Sequence, residues 1–489
     1  MERVLLNRFV SKGTIDKNIF GQFSEHLGHC IYEGIFVGED SPIPNTHGIR
    51  NDVVNALKHI KVPVLRWPGG CFADEYHWED GIGPKQNRKR MVNNNWGGVV
   101  EDNSFGTHEF LELCELIGCE PYICGNVGSG TVRELAEWIE YVNSPSDSSV
   151  AQKRRLNGRD EPWRVKFWGV GNENWGGGGS MRAEYYADVY RRYATFCRNF
   201  TDKPICRIAC GPSADDYRWM EVLMREAAFM FEGISLHYYT IPTGSWQSKG
   251  SATDFGKDEY YGTLSRALYM EELITKHSAI MDRYDPKKQK GLMVDEWGVW
   301  TDVEPGTNPG FLYQQNTMRD ALVAALNFDI FISHCDRVKM ANIAQMVNVL
   351  QAMILTKGEK MLLTPTYHAF DLYKTHQGAR QIESCVIADT VGEAGCGVKA
   401  VSASASEKDG RINLTLSNLD CDSLRTVSVE GLNIAKASAK ILHGAMNAYN
   451  DFDATSVCVT DFADYGVKDG KLSVRLPACS VAAFEIEEG

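Results

Sequence analysis

No stretch of the 489-residue sequence approaches the roughly 20 consecutive apolar residues that a membrane-spanning helix needs. The opening MERVLLNRFVSKGT holds one apolar cluster, too short and too broken for a secretory signal, so a cytoplasmic location is expected. Positive charge is in deficit. The 51 Lys and Arg against 64 Asp and Glu leave a formal charge of -13, which works against nucleic acid and anionic membranes and favours a neutral partner. No CxxC pair suggests zinc, and the 14 cysteines are spread widely, several in apolar patterns (Cys124, Cys197, Cys206, Cys210), as buried thiols of a reducing compartment would be. No GxGxxG follows an apolar run, and Gly176–Gly179 has neither the Lys nor the Ser/Thr of a phosphate-binding loop. That glycine run is expected to flex beside the chemistry. His26, His29, His47 and His77 form no i, i+4 pair around a Glu, so neither a metal nor a cofactor is expected.

What is present reads as an ordinary globular protein, 43% hydrophobic and 24% charged, and longer than one hydrophobic core usually fills. From about residue 18 to 350, short apolar runs alternate with helical patterns. The expected strands are Ile19–Ser24, Val62–Trp67, Glu120–Asn126, Val165–Gly171, Ile205–Gly211, Gly233–Tyr238, Gly291–Asp295 and Arg337–Ile343. Most are nearly continuous apolar runs, as parallel strands covered on both faces require. Helical periods fall at Asp52–Ile60, Thr107–Gly118, Thr131–Val142, Met181–Phe200, Asp216–Phe231, Thr263–Tyr284 and Gln314–Ser333. This alternation predicts a (β/α)8 barrel over residues 18–375 rather than a doubly wound open sheet. Beyond residue 375, short β-rich runs punctuated by Gly, Asn and Asp predict an antiparallel, jelly-roll-like β-sandwich over 376–489. They include Val398–Ser404, Val457–Thr460 and Val481–Ile486. Residues 1–17 contain a strand-like segment, Arg3–Phe9, expected to join that sandwich.

Active sites of such barrels lie at the C-terminal ends of the strands. The first expected strand runs into Ser24-Glu25-His26, the second into Pro68-Gly69-Gly70-Cys71, and the fourth into Asn172-Glu173-Asn174. The sixth ends at His237-Tyr238-Tyr239, the seventh at Asp295-Glu296-Trp297. Glutamates at the ends of the fourth and seventh strands suit glycoside hydrolysis, which needs one carboxyl to protonate the leaving oxygen and one carboxylate facing the anomeric carbon. A retaining mechanism places them roughly 5–5.5 Å apart. Each could instead be a solvated or ion-paired side chain.

The wider motifs are more specific. FSEHLG (23–28), LRWPGGCF (65–72), WEDGIGP (78–84), DEWGVW (295–300) and AQMVN (344–348) resemble the α-L-arabinofuranosidases of glycoside hydrolase family 51, essentially over the whole chain. The resemblance implies that Glu173 is the acid/base and Glu296 the nucleophile of a retaining, exo-acting enzyme. Such an enzyme removes terminal arabinofuranose from arabinan- or arabinoxylan-derived oligosaccharides in L-arabinose metabolism. It also implies a homo-oligomer, commonly a hexamer. A negative Glu296 nearby would raise the pKa of Glu173 and keep it protonated.

By the same resemblance Glu25, Asn172, His237, Tyr239, Trp300 and Gln345 bind the sugar. Asn172 would meet the 2-hydroxyl, Tyr239 would orient Glu296, and Trp300 would offer an apolar face. All but Gln345 have a plainer alternative: an ion pair of Glu25 with Arg66, a turn at Asn172, packing beneath the rim for His237 and Tyr239, and a packing anchor at Trp300. Cys71 stands where many relatives have Asn; it is expected to line the pocket as a weak donor, not to act as a nucleophile. The competing readings are an endo-acting xylanase or glucanase with the same two glutamates, a non-catalytic carbohydrate-binding barrel, and a metal-dependent sugar isomerase.

Overall fold

The computed structural model describes residues 2–393 and 395–489. Eight parallel strands close into a barrel in sequential order: Gly21–Phe23, Val64–Trp67, Glu120–Gly125, Phe167–Val170, Cys206–Ala209, Gly233–Thr240, Gly291–Val299 and Val338–Ala344. Each lies within or overlaps one of the eight apolar runs. The first strand closes the ring by pairing with the eighth, Gln22 beside Ile343. The lower interior is filled by Val64, Tyr122, Phe167, Cys206, Ile208, Met293 and Met340, so the barrel is a packed core with its chemistry confined to one end.

The surrounding helices follow the apolar periodicity, with three departures. The single helix expected over Thr263–Tyr284 is two, Lys257–Ala267 and Tyr269–Tyr284, hinged at Leu268. Ser149–Leu156 adds a short polar helix. The eighth strand is followed by a helix at Pro365–Tyr373, begun by the Thr364 side chain accepting from the Tyr367 amide and by proline in its first turn. That helix and Met318–Ser333 carry almost no amphipathic signal because both are buried nearly all round, between the barrel and the second domain.

The second domain is a mostly antiparallel pair of sheets with its own core, built from residues such as Ile382, Leu414, Val427, Val474 and Phe484. Its strand Arg380–Ile387 belongs to both sheets, pairing with Val401–Lys408 through its first residues and with the N-terminal strand Glu2–Asn7 through its last. Glu2–Asn7 also pairs, in parallel, with Arg425–Glu430. The run expected as a strand at Val457–Thr460 is mostly extended loop, with pairing only at Thr460–Asp461, and the run from Val398 breaks at Ala400.

Where the domains meet, the buried Asp329 of the helix Met318–Ser333 accepts hydrogen bonds from Ser402, Ser404 and Tyr373. Burial pushes its pKa up to about 6, with no cation among those partners. Among the described residues, no helix is long and apolar enough to cross a membrane.

Candidate active site

The strands bring Glu25, Cys71, Glu173, Tyr239, Glu296, Trp300 and Gln345 around one cavity of about 60 Å³ at the C-terminal end of the barrel. Leu27, Gly70, Trp96, Leu312 and Leu350 complete its wall. Asn172 and His237 do not line it; His237 supports both glutamates from behind, 2.8 Å from Glu173 and 3.6 Å from Glu296, and Asn172 is held by Arg66.

Register explains how neighbouring acids share the site. His237 pairs with Glu296 across the sixth and seventh strands, but Ser235 pairs with Met293, so the seventh strand carries one extra residue between them. In a regular strand Asp295 and Glu296 would face opposite sides. The bulge lets both turn toward the barrel interior. Asp295 accepts from the Tyr122 hydroxyl at 2.8 Å and faces His237 Nε2 at 3.0 Å. Glu296 accepts from Arg66 at 2.8 Å through Oε1 and from the Tyr239 hydroxyl at 2.9 Å through Oε2.

Glu173 reaches the same space by a different route. Its own φ of 43° and the 90° of Gly171 place it on a left-handed turn after the fourth strand, a conformation uncommon for a side-chain-bearing residue and frequent at functional sites. The glycine run behind it packs closely against the turn. Gly176 and Gly178 donate their amides to the Glu173 carbonyl, and a Cβ on Gly178 would lie 2.0 Å from the Asn172 carbonyl oxygen and 2.5 Å from Asp74 Oδ2. Glycine is required there for close packing.

Carboxylate oxygens of Glu173 and Glu296 and the Nδ1 of His237 all lie within 4.8 Å of one another, and among the described residues this is the one cluster with the spacing of metal ligands. Burial and the nearby Glu296 charge raise the pKa of Glu173, while the His237 hydrogen bond pulls it back. The expectation from sequence named Glu296 alone; burial is the larger cause. Burial would lower the pKa of His237, but Glu296 and the hydrogen bonds to Asp295 and Glu173 outweigh it and lift it to about 10. His237 therefore favours its imidazolium form, facing the carboxylates of Asp295 and Glu296 and the carboxyl group of Glu173.

Two buried groups hold this geometry: Arg66, expected from sequence only as the alternative partner of Glu25, and Asp74, which no sequence signal singled out. Arg66 spans Glu296, Asp295 at 3.5 Å and Asn172 at 2.5 Å, its guanidinium lying over the Phe23 ring. A charged residue inside the apolar run Val-Leu-Arg-Trp was a usable signal, since a buried Arg needs a built set of acceptors. Asp74 accepts from the amides of Val127, Gly128 and Asn172, tying together segments that follow the second, third and fourth strands. Burial pushes its pKa up to about 7.

Glu25 does not pair with Arg66. It accepts from the Phe72 amide, from Trp96 Nε1 and from Gln345 Nε2, each at 3.0 Å, and burial pushes its pKa up to about 7. Trp96 lies in the Asn-rich loop after the second strand, and nothing in its spacing pointed to the cavity. The Cys71 thiol lies 4.0 Å from Glu173, and burial first, then Glu173, pushes its pKa above the ordinary thiol range. That opposes thiolate formation and a nucleophilic role. Trp300 packs edge-on to Tyr239 and to the exposed Trp246 at the rim.

The sequence matches two family profiles, the α-L-arabinofuranosidase 1 domain over residues 56–254 and the α-L-arabinofuranosidase C-terminal domain over 295–480. It is 54% identical to an intracellular exo-α-L-arabinofuranosidase of Bacteroides ovatus, across 97% of this chain and 94% of that protein. The crystal structure of the GH51 arabinofuranosidase from Xanthomonas axonopodis pv. citri aligns over 100% of both chains with a TM-score of 0.97 and 53% identity. That of the α-L-arabinofuranosidase from Thermotoga maritima in its arabinose complex aligns over 100% of both with a TM-score of 0.88 and 32% identity.

Proposed function

The chain belongs to the α-L-arabinofuranosidases of glycoside hydrolase family 51, and from that premise we propose that Glu173 and Glu296 carry out retaining, exo-acting hydrolysis of terminal α-L-arabinofuranosyl residues by double displacement. The observation that carries the reading is the approach of the two carboxylates, oxygen to oxygen within 4.8 Å. An inverting pair stands roughly 6.5–9.5 Å apart to admit a water between them.

Glu296 attacks the anomeric carbon, held by Arg66 and Tyr239 through one oxygen each. Glu173, whose pKa is raised by burial and by its partner's charge, gives its proton to the leaving oxygen. When Glu296 becomes a neutral ester, its charge no longer opposes ionisation of Glu173. Glu173 then accepts a proton from water, and the hydroxide equivalent releases the sugar with its original configuration.

The sugar is held by polar groups the protein leaves free. Among the described residues Gln345 Oε1, in the cavity wall, has no partner and is offered to a hydroxyl, while Asn172 Nδ2, also unpartnered, lies one layer behind that wall. Arg66 holds Asn172 through Oδ1, so only its amide nitrogen is left to donate toward the 2-hydroxyl from behind the wall. The small cavity, with Leu27, Leu312 and Leu350 in its wall, supports one terminal furanose rather than an internal stretch of polymer. Arabinan- or arabinoxylan-derived oligosaccharides taken into the cell are the proposed substrates, and a hexamer the proposed assembly.

The test is proton NMR of the first sugar released from para-nitrophenyl α-L-arabinofuranoside. The α anomer appearing first supports the reading, and the β anomer first refutes it. No cleavage of this substrate, with xylan or its aryl xyloside cleaved instead, would transfer the pair to an endo-acting enzyme.

A further inference from the structure

Glu173 and His237 meet at 2.8 Å but belong to the fourth and sixth units of the barrel, and the fifth strand, Cys206–Ala209, stands between them. Among the described residues, neither that strand nor the loop after it contributes to the wall of the catalytic cavity. The loop nevertheless grips both partners. Toward the fourth strand, the Gly211 carbonyl accepts from Trp175 Nε1 at 3.2 Å and Cys210 Sγ accepts from the Asn174 amide at 3.3 Å. These are the two residues that follow Glu173. Toward the sixth strand, the Pro212 carbonyl accepts from the His237 amide at 3.3 Å, and the Ala214 amide donates to the His237 carbonyl at 2.9 Å. Gly211 is pressed so close to the sixth strand that a Cβ on it would lie 1.6 Å from the Ser235 carbonyl oxygen.

Ala214 has a φ of 41°, in the left-handed region that a residue with a Cβ keeps only when its surroundings fix it. Its amide is taken up by His237, and its carbonyl accepts from Nε2 of His277, on the helix Tyr269–Tyr284, at 2.7 Å. His277 is fully buried with Tyr217 against its ring at 4.8 Å, and the charged groups that act on it are Asp216 and Asp215. Burial lowers its pKa to about 4, so around neutral pH it is an uncharged imidazole whose one proton sits on the nitrogen facing Ala214. Its Nδ1 has no partner among the described residues, which leaves the bond to Ala214 as the polar contact of the ring. We propose that His277 is a positioning residue for the proton donor: through Ala214 it fixes the backbone of His237, and with it the contact between His237 and Glu173. The proposal rests on the acid/base reading of Glu173 given above. It places part of the control of that proton outside the cavity, in three contacts in series from His277 to Ala214, Ala214 to His237, and His237 to Glu173.

Two substitutions separate the hydrogen bond from packing. His277→Phe keeps a ring against Tyr217 and has no donor, whereas His277→Gln loses the ring and keeps an amide donor for the Ala214 carbonyl. The pH dependence of kcat/KM on para-nitrophenyl α-L-arabinofuranoside is measured for both, with thermal unfolding alongside. Glu296, Arg66 and Cys71 also face Glu173 but are unaltered in these variants. Loosening His237 weakens the cation's hold on the Glu173 carboxylate. The basic limb of His277→Phe should therefore move to higher pH by about half a pH unit or more, with kcat down about tenfold and KM little changed. His277→Gln should return both limb and kcat to near their original values. A limb unmoved in His277→Phe, or equal effects of the two substitutions, would overturn the proposal. The double variant of His277→Phe with His237→Ala should keep the limb of His237→Ala alone, and an additive displacement would also overturn it. If His277→Phe does not fold, His277→Leu reads the same loss of donor; failure of both to fold would make His277 a stability residue and overturn its positioning role. A basic limb that persists in Glu173→Gln, followed with a dinitrophenyl leaving group, would instead strike the acid/base reading itself.

Discussion

The imidazole of His237 stands 2.8 Å from Glu173, closer than its 3.6 Å to Glu296, although Glu296 is its neighbour in the strand register. A cation so placed favours the ionised form of the residue that must carry a proton. His237 therefore limits how far burial can raise Glu173.

Replacing His237 by Ala should move the basic limb of the kcat/KM profile to higher pH. That limb records loss of the Glu173 proton, and the substitution removes an interaction that lowers its pKa. A basic limb that stays in place, or shifts to lower pH, would mean another group controls it.

Glu173→Ala should lose roughly 10²- to 10⁴-fold in kcat/KM with a poor, alkyl leaving group. With a dinitrophenyl leaving group, which departs without a proton, the loss should shrink. Glu296→Ala should show no such recovery. Identical leaving-group dependence in the two variants would contradict their separate roles.

Arg66→Met removes a buried cation from between Glu296, Asp295 and Asn172. Breaking such a set costs about 3–5 kcal/mol. Thermal unfolding should shift down strongly and activity should fall with it. An unchanged transition would show that the arginine does not compensate those acids.

The folded values of Glu25 and Asp74 are raised to about 7 from the ordinary 4.5 and 3.8, in both cases by burial first. The stability they contribute is full below their unfolded values and is lost as pH rises through about 7. Glu25→Gln should therefore flatten the fall in thermal stability between about pH 4.5 and 7 and weaken arabinose binding. The binding loss follows because a carboxylate in the cavity wall would be replaced by an amide with one acceptor fewer. Differential scanning calorimetry across that range reads the first effect, and titration with arabinose the second.

The barrel could be read from the sequence because its strands are short apolar runs spaced by helical periods, and the ends of those runs held Glu173 and Glu296. The reading failed where burial erased periodicity. Pro365–Tyr373 is apolar on nearly every side, and its cap, Thr364 before Pro365, was the signal overlooked. Arg380–Ile387 gives no clean alternation because it passes from one sheet to the other. At the site, motif resemblance supplied the residues that face the cavity, while Asp74, Trp96 and the full role of Arg66 depend on contacts between distant segments. The bulge that turns Asp295 and Glu296 inward together is a property of strand pairing, which a single run of residues does not display.

The pairing of Val4 with Val386 and Val429 makes the whole barrel an insertion within the sheet domain. During translation the strand Glu2–Asn7 is synthesised more than 380 residues before its partner at Val386. At ordinary elongation rates that delay is roughly 20–80 s. Throughout it, a segment with apolar Val4 and Leu6 has no sheet to join. A barrel that folds in that interval would bring Glu2–Asn7 back to the site where its late partners Arg380–Ile387 and Arg425–Glu430 form.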